Sequence, residues 1–106
     1  MTVREIFEER IPNRISAEPD KAKAINTVYQ FDVTGDEAGK WYVDLTCDPP
    51  AIAEGEHAAP VCTVTVADSD LIEIVEGKLN PQMAFMGGKL KIAGDMAAAI
   101  KLSQVI

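Results

Sequence analysis

The sequence is poor in the residues that most chemistry needs. It holds one histidine, His57, two cysteines, Cys47 and Cys62, and one tryptophan, Trp41. A lone histidine beside Glu54 and Glu56 falls short of the three protein ligands of a catalytic zinc site, so His57 is expected as an exposed loop residue. Two cysteines cannot build a disulfide framework. Both fall on the apolar phase of an alternating segment. They are expected as buried free thiols that pack as small hydrophobes, with a disulfide as the lesser alternative. A Ser–His–Asp set would have to draw on Ser16, Ser69 or Ser103. None of these lies in anything resembling the strand–turn–helix of a nucleophile elbow. No catalytic residue, no metal and no cofactor is therefore expected.

Long apolar runs are also missing. The longest, Met96 to Ile100, is far short of the roughly 20 residues of a membrane span. The opening "MTVREIFEER" alternates charge and grease, which does not suit a secretory leader. A cytoplasmic location is expected. Basic residues are scarce, ten against seventeen acidic, for a net charge of −7. That balance disfavours nucleic acid, whose binding is driven by clustered Lys and Arg. The charge is uneven, however. Residues 1–77 carry a balance of −10, whereas residues 78–106 carry Lys78, Lys89, Lys91 and Lys101 against Asp95 alone. Such a region attracts a carboxylate or phosphate head group mildly, or is simply a set of solvated faces.

What is present reads as one domain over residues 1–106. Thr2 and Glu5 form a capping box, and Val3, Ile6, Phe7 and Ile11 follow helical spacing. A helix is predicted over 3–11, ended by Pro12. Residues 19–25 suit a second short helix. From Thr27 the period changes to two. Tyr29, Phe31 and Val33 share one face, and Trp41, Val43, Leu45 and Cys47 share the matching face of the next strand. The turn "TGDEAGK" between them makes an antiparallel hairpin. Pro49–Pro50 excludes helix and central strand, leaving a short edge strand at 51–54. Cys62, Val64 and Val66 alternate again. "DSDLIEIVEG" is a helix stopped by Gly77. Asn80 caps a short helix with Pro81 in its first position, Gly87–Gly88 ends it, Leu90 and Ile92 mark a last strand, and Met96 to Leu102 a last helix. Strands grouped apart from helices imply an α+β fold, with helices covering one face of a mostly antiparallel sheet.

The segment "NPQMAFMGGKLKIAGD" (80–95) is the greasiest part. Its "GGK" is not a phosphate loop, because Leu90 follows Lys89 where Ser or Thr is required and a strand follows where a helix should. Met83, Met86 and Met96 fall close together. Methionine fills gaps in cores, and it also lines sites that accept ligands of variable shape. The residues leave both readings open.

The same region carries a family resemblance. The acidic-Ser-Asp helix start at 68–70, then "GKLNPQMAF", then "GKLKIAG", then a short helix with Lys101–Leu102 resembles the sterol carrier protein type-2 domain. The weaker pattern "INTVYQFDVTG…WYVDL" is similar to that family's first two strands. The resemblance implies a five-stranded sheet covered by helices, with a hydrophobic tunnel between the layers. It also implies non-catalytic binding, with possible transfer, of fatty acids, fatty acyl-CoA, sterols or phospholipids. Matching positions nominate Phe31, Trp41, Ile72, Val75, Gln82, Met83, Phe85, Met86, Leu90, Ile92, Met96 and Ile100 as tunnel residues. Gln82 would bond a ligand head or cap its own helix. Membrane contact is expected to be transient at most, and the chain a monomer or weak dimer. Two features depart from the pattern. The chain ends "LSQVI" where many members of that family continue to a peroxisomal Ser-Lys-Leu type address, so less cover over the tunnel mouth is expected. Met86 stands where an aromatic is common. The alternative is a ligand-free interaction or accessory module of the same fold.

Overall fold

The computed structural model describes residues 2–47 and 49–102. The chain opens with α1 (Val3–Glu5), a π-helical turn (Ile6–Arg10) and α2 (Ile11–Ala17), then α3 (Pro19–Ile25). Strands β1 (Val28–Thr34), β2 (Gly39–Asp44), β3 (Ala51–Glu54) and β4 (Cys62–Ala67) follow. After α4 (Asp68–Val75) and α5 (Pro81–Met86) come β5 (Leu90–Gly94) and α6 (Met96–Lys101).

Pro12 does not end the first helix. Ile11 stays helical at φ −66°, ψ −47°, and its N–H reaches the Ile6 carbonyl, one residue beyond the α-helical partner. The π turn absorbs the register change, and Pro12 falls in the first turn of α2, where its missing N–H costs little. Burial drives the continuation, since Ile11 and Ile15 pack into the core with Val3, Ile6 and Phe7.

The sheet order is β3-β2-β1-β4-β5. Three pairings are antiparallel; β1 and β4 are parallel, with Phe31 opposite Val64. One face carries Tyr29, Phe31, Val33, Trp41, Val43, Cys62, Val64 and Val66, all in one cluster with the buried residues of the helices. Phe7 anchors it, stacked on Trp41 at 5.0 Å and meeting Phe31 edge-on at 5.0 Å.

The second strand ends earlier than its alternation suggests, and Cys47 is exposed. The Asp44 carboxylate accepts from the Thr46 N–H at 2.8 Å and from its hydroxyl, so the chain turns there. Cys62 is buried as expected; both thiols are free.

His57 is not a free loop residue. Segment 55–60 lies against the other face of the sheet. The Gln30 amide donates to the Trp41 and Gly55 carbonyls and accepts from the His57 N–H. His57 Nδ1 accepts from the Ala59 N–H at 3.0 Å, which places the ring proton on Nε2, 3.0 Å from Asp44 Oδ2. Both ring nitrogens are thereby engaged. Burial pushes the Asp44 carboxyl up, but the bonds from Thr46, His57 and Cys47 outweigh it and hold the group below its ordinary value. A depressed folded pKa adds stability above about pH 4 and loses it as pH falls through the folded value. Asp44→Asn should therefore melt lower than the parent at neutral pH, by about 1–2 kcal/mol. It should also lose less stability on acidification from pH 5 to 3, measured by thermal melts across that range.

Candidate functional site

The last third of the chain builds a groove. Its first wall is α5. Asn80 Oδ1 accepts from the Gln82 N–H at 2.8 Å and the Met83 N–H at 3.4 Å, and Pro81 occupies the first helical position. Only Ala84 of this helix is buried. Gly88, at φ +79°, turns the chain towards β5. The floor is β5, which presents Leu90 and Ile92 on the core face of the sheet, opposite Val66 and Val64. Gly94, at φ +103°, then leads into the second wall. A Cβ there would collide with the Val61 carbonyl oxygen, so Gly94→Ala should cost about 2 kcal/mol or more of stability in denaturant titrations. Asp95 caps α6 by accepting from the Ala97 N–H at 2.8 Å.

The groove is lined by Asn80, Pro81, Gln82, Phe85, Met86, Leu90, Ile92, Met96, Ala99, Ile100 and Leu102, with a volume of about 370 Å³. Its walls leave large apolar side chains in water, among them Met86 at 87% and Ile100 at 71% exposure. Soluble proteins seldom expose such clusters without use for them. The Gln82 side chain makes no hydrogen bond among the described residues, so the cap is Asn80's work.

The twelve nominated residues separate clearly. Gln82, Phe85, Met86, Leu90, Ile92, Met96 and Ile100 meet in the groove. Phe31 and Trp41 pack around Phe7 instead. Val75 is buried and Ile72 partly buried on α4, and neither lines the groove. Met83, 69% exposed, points away from it. Asn80, Pro81, Ala99 and Leu102 were not nominated. The apolar stripe of the last helix contained the signal for Ala99 and Leu102.

Among the described residues, no group of three or more His, Cys, Asp or Glu side chains could hold a metal ion. Among the described residues, no helix is long and apolar enough to cross a membrane.

Residues 8–106 match the SCP-2 sterol transfer family. The chain belongs to that family. Its five-stranded mixed sheet with helices is the sterol carrier fold. It superimposes on palmitated SCP2L2 from Aedes aegypti, known from a solution NMR structure, with a TM-score of 0.81 and 32% identity, covering 99% of this chain and 94% of that one. The crystal structure of Sterol Carrier Protein 2 Like 2 from the same mosquito gives 0.80 at 31%, over 97% and 95%. In sequence, the chain is 40% identical over 92 residues to "Hydroxysteroid dehydrogenase-like protein 2" of Xenopus laevis, covering 86% of this chain and 22% of that protein. The chain thus spans about a fifth of the length of the curated relatives it matches, in which the sterol carrier unit is one part of a larger protein.

Proposed function

We propose that the groove between α5 and α6 binds the hydrocarbon part of a lipid, with a fatty acyl chain as its first ligand, and that the domain holds or passes on this ligand without transforming it. The carrying observation is the groove itself: about 370 Å³ of mostly apolar space walled by exposed aliphatic, methionine and phenylalanine side chains. That volume is in the range of small-molecule sites. Each methylene that leaves water for such a lining contributes about 0.8 kcal/mol, so affinity follows chain length. The palmitated state of the mosquito relative supports an acyl ligand. An exposed Gln82 amide at the groove, unbonded among the described residues, supports a polar contact with the ligand head. Lys89 precedes Leu90 on the floor, and Lys101 lies between Ile100 and Leu102 on the wall. Both are exposed, and neither has an ion-pair partner among the described residues. They favour an anionic head.

Displacement of a fluorophore-labelled palmitate tests this reading. Saturable binding that unlabelled fatty acid reverses is the expected result, and sterol, phospholipid and acyl-CoA competitors rank the other lipid classes. No saturable binding, together with no lipid seen by native mass spectrometry after gentle extraction, would overturn it.

A further inference from the structure

Helix α6 is six residues long, too short to keep its shape without help. Its apolar hold on the sheet is slight: Ala98 is its only buried residue, followed by Leu102, while Met96 is half exposed and Ile100 stands largely in solvent. Polar links do much of the holding. The Asp95 N–H donates to the Val61 carbonyl at 3.1 Å, and the Asp95 carboxylate caps the first turn. At the other end the Leu102 N–H turns to the Ala99 carbonyl. The Ala98 carbonyl thus lacks its usual donor four residues on. The Tyr29 hydroxyl supplies one, reaching α6 from β1 across 69 residues of sequence.

The sheet makes this reach possible. Tyr29 pairs with Cys62, and Cys62 with Gly94, so one row across β1, β4 and β5 runs from a large side chain to a small one to none. The phenol therefore extends over Cys62 towards α6. Tyr29 is wholly buried on a strand paired on both sides, and it is not among the residues lining the groove. If one partner moves, it is α6.

We propose that the Tyr29 hydroxyl is the catch that holds α6 as the movable wall of the groove, and so sets how fast a ligand leaves. Tyr29 is a positioning residue: it acts through α6, which carries Met96, Ala99 and Ile100 to the ligand. The proposal rests on the reading of the groove as a lipid site.

Tyr29→Phe removes this donor and keeps the ring. In the ligand-free variant, hydrogen exchange of the α6 amides should speed up about 10-fold while β1 and β4 amides stay protected. Stopped-flow release of labelled palmitate should speed up by a similar factor. Val33→Ala, on the same strand and face, is the control for lost stability alone. Unchanged α6 exchange and release in Tyr29→Phe would overturn the proposal, as would equal acceleration in Val33→Ala at matched stability. Should Tyr29→Phe fail to fold, fluorotyrosine at position 29, a stronger donor of nearly the same shape, should slow both processes; no slowing would overturn the catch. Absence of palmitate binding by the wild-type chain would overturn the groove reading alone, because exchange is measured without ligand.

Discussion

Phe85→Glu should reduce the affinity for labelled palmitate by at least about 100-fold, while Met83→Glu should leave it nearly unchanged. The two residues lie on one six-residue helix and differ in facing. Gln82, Phe85 and Met86 occupy the groove side, at spacings of three and four, and Met83 falls outside it. Phe85 is still partly in water, so a carboxylate at that position can be solvated in the empty protein. A bound acyl chain would strip that water away, and burying an unpaired charge costs several kcal/mol. A penalty of about 3 kcal/mol already exceeds 100-fold. Near-equal affinities of the two variants, with both folded by circular dichroism, would show that the ligand lies elsewhere.

Phe7→Ala should be the most damaging single truncation for stability. The ring is fully buried, stacked on Trp41 and edge-on to Phe31. Such a truncation removes transfer energy and leaves a cavity, at about 3–5 kcal/mol. Domains of this size hold about 5–15 kcal/mol in total, so the melting temperature should fall by roughly 15 °C or more. Below the transition, palmitate affinity should change less than about threefold, because Phe7, Phe31 and Trp41 do not line the groove. A large affinity loss in the cold, folded variant would bring the aromatic cluster into the site.

The elements were largely legible in the sequence because their periods are clean. The alternation of Tyr29, Phe31 and Val33, the Asn80–Pro81 helix start and the Gly87–Gly88 stop all correspond to real boundaries. Pro12 misled because local backbone preference lost to the burial of Ile11 and Ile15, with a π turn absorbing the conflict. Cys47 misled because a side chain ended the strand: Asp44 captures Thr46 before the alternation runs out. The parallel pairing of β1 and β4 has no local signature, since it is set by the path of segment 55–61 across the sheet.

The groove was legible where it is contiguous in sequence, from Asn80 to Leu102. Phe31 and Trp41, nominated through the family resemblance, do share the core face of the sheet with Leu90 and Ile92. Strand order separates them. At about 4.8 Å per strand, β1 stands about 10 Å and β2 about 14 Å from β5. The catch at Tyr29 was illegible for the same reason. Its partner is a backbone carbonyl, and only the row through Cys62 and Gly94 reveals the contact.

The most direct test of the central claim is a crystal structure of the chain grown with excess palmitate. The account predicts elongated density along Phe85, Ile92, Met96 and Ile100, with the carboxylate near Gln82. An empty groove in saturated crystals, or density on the opposite face of the sheet beside His57, would contradict it.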